Sequence, residues 1–262
     1  MKHILITGST RGIGFGLAQR FIEADCRVTI NGMTVESVNS ALQKLRKSYP
    51  LAKVHGLAGD VGNSQEVERL WDYASKSFGK IDIWINNAGI DQERKNAWDI
   101  APTAFERIVK TNLLGIFNGS TLAFKRMLEQ GNGQIFNMEG FGSDGMIREK
   151  MTLYGTTKSA VRYFTRSLAK EAINTPILVG TLSPGMVVTD FLLKSVKLNS
   201  PDSERNKKVF NILADEVDTV TSFLSQRILE NKKNNVHIAW LTKRKVIWRF
   251  ASSSFIKRDL FR

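Results

Sequence analysis

The feature that most constrains the fold of this chain is a regular alternation of short apolar runs and amphipathic helical segments up to Ser183. Apolar positions at helical spacing predict helices, whereas short β-rich runs between turn residues predict strands. The predicted strands are residues 4–6, 28–30, 52–57, 81–85, 134–138 and 177–182; a helix is predicted from Ile13, and others over residues 35–48, 66–78, 104–129 and 154–173. This order predicts an α/β protein with a single Rossmann-type doubly wound parallel sheet and helices on both faces.

The alternation fails after Ser183. Residues 190–217 are polar, charged and irregular in pattern, and they precede a predicted helix over residues 219–229 and a last strand near residues 236–241. An insertion after the sixth strand lies beyond the carboxyl ends of the strands, where open sheets bind ligands. We therefore expect a substrate lid over about residues 190–230. It would belong to one domain, residues 1–242, because 42% hydrophobic residues in a chain of 262 supply one large core.

A glycine-rich turn separates the first strand from the first helix. It reads Thr7-Gly8-Ser9-Thr10-Arg11-Gly12-Ile13-Gly14. Glycines let the backbone approach a pyrophosphate closely, and the start of the following helix presents free N–H groups to it. The turn therefore indicates a dinucleotide site. The alternative is a tight turn that needs glycine only for its positive φ.

The residues after the second strand indicate which dinucleotide is bound. Sites for NAD carry an acid there that holds the adenosine ribose, but residues 31–34 are Asn-Gly-Met-Thr. Arg11 instead lies inside the turn, where a guanidinium can pair with a 2′-phosphate. We therefore expect NADP(H) rather than NAD(H). Two points weigh against this preference. Glu36 is an acid just beyond the strand, and Arg11 can be merely a solvated turn residue.

Tyr154 and Lys158 are four residues apart on one predicted helix, so both side chains point the same way. A phenol with a pKa of about 10 is a poor acid–base group at neutral pH, and a nearby cation stabilises its phenolate. The pair therefore suits proton transfer, although such a spacing on its own is usually a coincidence of the surface.

These motifs occur together with others in a fixed order. Asp60-Val61 follow the third strand, residues 86–89 (Asn-Asn-Ala-Gly) follow the fourth, Asn112 lies in the long helix, and Pro184-Gly185 precede Thr189. In this combination residues 2–241 resemble the short-chain dehydrogenase/reductase family. The resemblance implies a reductase that takes a small-molecule carbonyl substrate and forms a homo-oligomer, a dimer or tetramer built on the long helices.

The resemblance also implies the roles of individual residues. Tyr154 would protonate the carbonyl oxygen while hydride arrives from the nicotinamide, Lys158 would lower the Tyr154 pKa and bind the nicotinamide ribose, and Asn112 would hold a water in a proton relay. The residues implied to contact the cofactor are Gly8, Ser9, Thr10, Arg11, Gly12, Ile13, Gly14, Asp60, Val61, Asn87, Ala88, Gly89, Tyr154, Lys158, Pro184, Gly185, Val187 and Thr189.

The chain departs from the family at one catalytic position. Members carry Asn-x-Ser-Ser after the fifth strand, and the second serine hydrogen-bonds the substrate carbonyl. Here the stretch is Asn137-Met138-Glu139-Gly140, and Ser143 is the nearest hydroxyl that could replace the missing one. The alternatives are that Ser143 caps a turn, that Tyr154 acts without a serine, or that catalysis has been lost.

The segment around this departure resembles the chlorophyll b reductase subgroup. The similarity covers residues 135–145, 81–89, 182–192 and 208–214. It implies reduction of the 7-formyl group of chlorophyll b or chlorophyllide b, a tetrapyrrole, with NADPH. The glycines at positions 140, 142 and 145 would leave room for a bulky planar aldehyde, or they merely shape a turn. The alternatives are another bulky lipophilic ketone or aldehyde, and a non-catalytic dinucleotide sensor or scaffold.

The net charge of +13 is concentrated in a basic aromatic tail, residues 243–262. Residues 231–262 contain nine basic residues and one acid. Cations interleaved with aromatics suit a peripheral membrane contact, whereas the alternative is a helix packed on the lid or on a second subunit; a nucleic-acid surface is the least favoured of the three.

The cysteine and histidine content bears on location and metals. A single cysteine cannot form an internal disulfide, and with no signal peptide we expect a cytoplasmic location, with a peripheral contact at a membrane if the tail binds one. The three histidines lack metal-ligand spacing, so we expect no metal site.

Overall fold

The structure is a computed structural model that describes residues 1–189, 203–253, 255 and 258–260. The first half of the chain alternates strand and helix as the sequence predicts. Its elements are β1 (His3–Ile6), α1 (Gly12–Glu23), β2 (Arg27–Gly32), α2 (Val35–Ser48), β3 (Val54–Ala58), α3 (Ser64–Phe78) and β4 (Ile83–Asn86).

The second half continues the alternation and adds short elements. A 3₁₀ turn (Ala97–Asp99) leads to α4 (Pro102–Val109), a π-helical turn (Lys110–Leu114) and α5 (Gly115–Gln130), followed by β5 (Gly133–Met138), α6 (Thr152–Glu171) and β6 (Ile177–Ser183). The remaining described elements are β7 (Val187–Val188), α7 (Ser203–Leu213), β8 (Asp215–Glu216), α8 (Val217–Glu230), β9 (Val236–Ala239) and α9 (Lys243–Ser252).

Among the described residues, seven parallel strands form one sheet in the order β3-β2-β1-β4-β5-β6-β9. The strand order reverses between β1 and β4, where Leu5 lies opposite Thr29 on one side and Trp84 on the other. Helices α1, α2 and α8 pack over an apolar cluster on one face of the sheet, and α3, α5 and α6 pack over a second cluster on the other face. The doubly wound fold is therefore confirmed, and its crevice lies beyond the carboxyl ends of β1 and β4.

The structure differs from the sequence prediction at two helices. The single helix predicted over residues 104–129 is interrupted by the π-helical turn around Asn112. In such a turn the backbone hydrogen bonds join residues five apart instead of four. The stretch predicted as irregular contains α7, whose apolar face has few members and gave no clear period. Residues 190–202 of the predicted lid lie outside the described residues.

The predicted lid over residues 190–230 includes α8, and for this helix the prediction is wrong because α8 belongs to the core. Val220, Leu224 and Ile228 are fully buried in the apolar cluster with α1. We therefore use "lid" for the described residues 203–216, the helix α7 with β8. In the described part of the chain no helix is long and apolar enough to cross a membrane.

Candidate active site

The glycine turn after β1 interlocks with the turn after β4. The Asn87 Nδ2 atom donates to the carbonyl oxygens of Thr7 at 3.0 Å and Gly8 at 2.8 Å. The Thr7 hydroxyl accepts from the backbone N–H groups of Asn87 and Ala88. A Cβ atom on Gly8, where φ is +61°, would lie 2.6 Å from the Ala88 Cα atom. Glycine is therefore required at this approach of two backbones.

The end of β2 ties the glycine turn to the strand beside it. The Asn31 Oδ1 atom accepts from the Gly8 N–H, and its Nδ2 atom donates to the carbonyl oxygens of Leu57 and Gly59. Ser9, predicted to contact the cofactor, is fully buried, and its hydroxyl donates to the Ile6 carbonyl oxygen at 2.6 Å. Its side chain therefore holds the turn in shape and does not face the crevice.

The N-terminus of α1 opens toward the crevice. Arg11 precedes the helix in extended backbone, is exposed, and makes no side-chain capping hydrogen bond to the first N–H groups. Thr189, from the segment after β6, lies across the turn: its Cγ2 atom is 3.5 Å from where a Gly12 Cβ would be. The structure therefore brings the predicted segments 7–14 and 184–189 together.

Asp60 and Val61 lie at the end of the next strand. The Asp60 carboxylate accepts from the Gly62 N–H at 2.8 Å and pairs with Lys110 at 2.8 Å. Burial acts to raise the pKa of Asp60, but the hydrogen bonds from Lys110 and Gly62 hold it below its usual value. Val61 is buried, and its carbonyl oxygen accepts from Asn118. The pair forms the adjoining wall of the crevice.

Asn112 joins the loop after β4 to the helix α6. Its Oδ1 atom accepts from the Ile90 N–H at 2.8 Å, and its Nδ2 atom donates to the Ile90 carbonyl oxygen and the Thr157 hydroxyl. Thr157 lies between Tyr154 and Lys158. The buried Asn112 amide therefore links the loop after β4 to α6, the helix that carries Tyr154 and Lys158.

Tyr154 and Lys158 are both buried beside this amide. The Lys158 Nζ atom lies 5.8 Å from the centre of the Tyr154 ring and donates to the Met138 carbonyl oxygen at 3.1 Å. A Cβ on Gly89 would lie 3.8 Å from the same Nζ atom. The phenol and the ammonium therefore share one enclosed space with the turn after β4.

Burial has the largest effect on the pKa values of Tyr154 and Lys158. It raises the pKa of Tyr154 well above its usual range, with Asp91 acting in the same direction and Arg94 against it. The expected lowering of the Tyr154 pKa by Lys158 is smaller than this effect of burial, or absent, and it stays a prediction. Burial lowers the pKa of Lys158 to about 8, and the carboxylate of Glu139 opposes that change. The phenol thus keeps its proton at neutral pH, as a proton donor must.

Gly140 lies directly against the Tyr154 hydroxyl. A Cβ atom on Gly140 would lie 2.4 Å from the Tyr154 Oη atom and 3.1 Å from the Lys158 Cε atom. The phenol therefore occupies the space that a serine side chain would need. The Ser143 hydroxyl donates to the Gly140 carbonyl oxygen at 2.7 Å, so in this conformation it holds the loop.

Two buried residues of the site were missed by the sequence analysis. The Gln92 Oε1 atom accepts from the Tyr154 N–H at 2.7 Å, and its Nε2 atom donates to the Lys150 carbonyl oxygen, so Gln92 fixes the start of α6. Glu139 is 3% exposed immediately after β5. An acid in the place of the first family serine was the available signal for Glu139, whereas Gln92 gave none.

A family model described as short chain dehydrogenase matches residues 2–199. Among curated proteins, the chain is 34% identical over 268 residues to the chloroplastic probable chlorophyll(ide) b reductase of Arabidopsis thaliana, covering 96% of this chain and 53% of that protein. It is 36% identical over 237 residues to the chloroplastic chlorophyll(ide) b reductase of Oryza sativa subsp. japonica, covering 86% and 66% respectively. The chain thus spans between about half and two thirds of the length of these relatives.

Among solved structures, the fold resembles that of ElxO, determined with NADP bound. The TM-score is 0.79 at 26% sequence identity, and the similarity covers 91% of this chain and 96% of that one. This agreement, together with the family match, supports a nicotinamide dinucleotide as the cofactor.

Proposed function

The chain belongs to the short-chain dehydrogenase family, and from that premise we propose that it is an NADPH-dependent carbonyl reductase. One observation carries the proposal. The buried Tyr154 phenol and the buried Lys158 ammonium lie together at the carboxyl edge of the sheet, where the glycine turn and the segment 184–189 also converge.

The crevice suits a nicotinamide dinucleotide, because Gly8 and Gly14 keep the glycine turn tight and the start of α1 has no side-chain cap on its N–H groups. The N–H groups of residues 8–14 would hold the phosphates, Asp60 and Val61 the adenine, Asn87 to Gly89 the middle of the cofactor, and Val187 and Thr189, which follow the Pro184-Gly185 turn, the carboxamide. Exposed Arg11 and the lack of an acid at the end of β2 support NADPH over NADH, and ElxO binds NADP.

The residues of the chain then perform the proton part of the reduction. When bound, the nicotinamide supplies hydride to the carbonyl carbon. Tyr154 donates its proton to the carbonyl oxygen, which becomes the hydroxyl of the product, and Lys158 stabilises the phenolate left behind. Asn112 holds the loop at Ile90 beside them and lies on the path by which Tyr154 is reprotonated. Gly140 supplies no hydroxyl, so Tyr154 is the main donor to the substrate oxygen.

The substrate we propose is the 7-formyl group of chlorophyll b or chlorophyllide b, reduced to hydroxymethyl. Two similar proteins bear that activity in their names. Gly140 carries no side chain against the Tyr154 hydroxyl, so the substrate carbonyl would meet the phenol without a neighbouring serine. A reductase of another bulky lipophilic aldehyde or ketone is the alternative.

The test is oxidation of NADPH by the purified chain with chlorophyllide b, and with a panel of aromatic aldehydes. We expect turnover of chlorophyllide b that falls at least a hundredfold in Tyr154→Phe, because the proton donor is lost. Tyr163→Phe, an exposed tyrosine on the same helix, is the matched control and should keep wild-type rates. Binding of NADPH without turnover of any carbonyl would favour a non-catalytic dinucleotide sensor.

We also propose that the outward face of α9 contacts an anionic membrane surface. Ile247, Trp248 and Phe255 are 70%, 60% and 90% exposed, and the exposed cations Lys243 and Arg244 lie at the start of the same helix. Apolar side chains can enter the headgroup region while cations near the surface attract anionic lipids at about 1 kcal/mol each. A lipophilic substrate would be reached from such a surface.

The membrane proposal is tested by co-sedimentation with phosphatidylglycerol vesicles and with neutral phosphatidylcholine vesicles. Binding to the anionic vesicles should fall at least fivefold in the double variant Ile247→Ser, Trp248→Ser. Leu51→Ser, which removes an apolar side chain that is 96% exposed elsewhere, should bind normally. Equal binding by the double variant would refute the contact, and substitution leaves the internal contacts of the tail intact.

The expected homo-oligomer is supported by apolar side chains left exposed on α5. Phe117 and Leu128 are 48% and 41% exposed, and Phe117 lies against Phe164 of α6. We propose that a second copy covers them, which light scattering after size exclusion should show as a dimer or tetramer.

A further inference from the structure

Glu139 is a buried acid that the proposed reaction does not use. It follows β5, and its side chain is 1% exposed. Side chains alternate along a strand, and Asn137, two residues earlier, donates to Thr165 on α6. Glu139 therefore faces α6, the helix that carries Tyr154 and Lys158.

Its carboxylate lies close to one hydroxyl and to two groups that carry or can carry positive charge. The Oε2 atom lies 3.1 Å from His237 Nε2 on β9 and 3.4 Å from the Ser143 hydroxyl. The Oε1 atom lies 3.8 Å from Arg162 Nε and, within the described residues, accepts no hydrogen bond. Lys158 lies on the same helix as Arg162, four residues earlier in the chain. A buried carboxylate that is incompletely hydrogen-bonded exerts a strong field on its neighbours, because little solvent screens it.

The backbone of Glu139 is also part of the support for Lys158. The Lys158 ammonium donates to the Met138 carbonyl oxygen, which belongs to the peptide unit joining Met138 to Glu139. The N–H of that same peptide donates to the Leu182 carbonyl oxygen at 2.8 Å. Burial lowers the pKa of Lys158 to about 8, and the Glu139 carboxylate is the charge that opposes this. Without that carboxylate, Lys158 would lose its proton closer to neutrality.

We propose that Glu139 is a positioning residue whose fixed negative charge, held by His237 and Arg162, keeps the Lys158 ammonium protonated beside Tyr154. The idea rests on the proposed reductase function only for its kinetic consequence. In the family pattern Asn-x-Ser-Ser, the first serine stands at the position of Glu139 and the catalytic serine at the position of Gly140. Here an acid replaces the first serine, and a glycine that packs against the Tyr154 hydroxyl replaces the second. The Glu139 charge is therefore found in a chain that lacks the catalytic serine hydroxyl at position 140.

The direct test is the titration of Lys158 by NMR in the protein without substrate or cofactor, assigned with Lys158→Arg. In Glu139→Gln, which keeps the shape but removes the charge, the titration midpoint of Lys158 should fall by about one pH unit. Glu149→Gln, an exposed acid in the loop before α6, should leave it unchanged. An unchanged midpoint in Glu139→Gln overturns the proposal whether or not the protein is a reductase.

The kinetic test asks whether the role is electrostatic. If the protein reduces an aldehyde, Glu139→Gln should match the wild type at pH 6, where Lys158 is protonated in both, and lose about tenfold in kcat at pH 8.5 without a matching change in KM. A loss equal at every pH would mean a structural role and would also refute the proposal. Should the glutamine variant not fold, Glu139→Asp and Glu139→Asn give the same comparison, with only the charged variant expected to keep the wild-type profile.

Discussion

The glycine turn and the lid lie at the same edge of the sheet, yet they are held in place by different means. In the turn, two backbones approach so closely that Gly8 and Gly14 have no room for a Cβ, and the contacts around them are neutral hydrogen bonds. The lid is held by charges. Asp215 of β8 accepts from Arg249, Arg258 and Trp240, at distances from 2.6 to 2.9 Å.

The tail therefore has an internal role as well as an exposed face. Arg249 and Arg258 also donate to the carbonyl oxygens of Leu213 and Ile212, at the C-terminal end of α7. Leu260 packs on the small apolar cluster of Phe210 and Ala214. The tail therefore packs on the lid, as one of the predicted alternatives has it, whereas the membrane contact stays a proposal for its exposed side chains. Backbone packing holds the glycine turn, and the Asp215 carboxylate holds the lid.

The largest effect should come from Asp215→Asn, which removes the charge that binds the tail to the lid. Arg249 has a side chain only 10% exposed, and leaving such a charge unpaired costs about 3–5 kcal/mol. Hydrogen exchange should accelerate in residues 203–216 and 243–252, and KM for a bulky substrate should rise while the Kd for NADPH stays the same.

The control for this change is Asp218→Asn, which removes an exposed partner of Arg20 and should leave hydrogen exchange as it was. Burial acts to raise the pKa of Asp215, but its hydrogen bonds from Arg249 and Trp240 hold it below the usual value. The contact is therefore intact above about pH 4 and is lost as the pH falls through the lower folded pKa. Unchanged exchange in Asp215→Asn would show that apolar contacts alone hold the lid.

The next largest effect should come from Gly14→Ala, on the side held by packing. The new Cβ would lie 2.5 Å from Asn87 Nδ2 and 2.6 Å from the Gly8 carbonyl oxygen. Overpacking of this kind costs about 1–3 kcal/mol. The Tm should fall, and the Kd for NADPH by fluorescence should rise more than tenfold. Gly155→Ala, whose Cβ would meet its nearest atom only at 4.0 Å, should leave both values unaltered.

The difference between locally encoded turns and long-range charge contacts explains what could be predicted from the sequence. The glycine turn, the strands and the Tyr154–Lys158 pair are local patterns, so spacing and period located them, and the sheet confirms the doubly wound fold they imply. The contact between Glu139 and His237 joins residues 98 positions apart, and that between Asp215 and Arg258 joins residues 43 apart. No local pattern carries such pairs, because they form only after the strands have been placed side by side.

A third test applies the packing argument to the catalytic side. Gly140→Ser restores the residue that the family carries, but its Cβ would lie 2.4 Å from the Tyr154 hydroxyl. We therefore expect kcat to fall by about tenfold to a hundredfold, equivalent to roughly 1.4–2.7 kcal/mol. Gly140→Ala isolates the steric part: it should lose as much activity as the serine variant. A serine variant that is faster than the alanine variant would mean that Tyr154 moves aside and the hydroxyl assists.

The smallest effect should come from Arg11→Gln, which changes the charged residue of a turn otherwise built from neutral groups. Arg11 is exposed and makes no capping hydrogen bond to α1, so neither the fold nor the first N–H groups of α1 depend on it. Its guanidinium can discriminate only through a 2′-phosphate, because that group distinguishes the two dinucleotides. KM for NADPH should rise about tenfold while KM for NADH and the Tm stay constant, and Arg69→Gln, an exposed arginine on α3, should change none of them. A parallel rise in both KM values would show instead that Arg11 serves the pyrophosphate, and that the preference between cofactors is set at the end of β2, where Gly32 lies under Thr10.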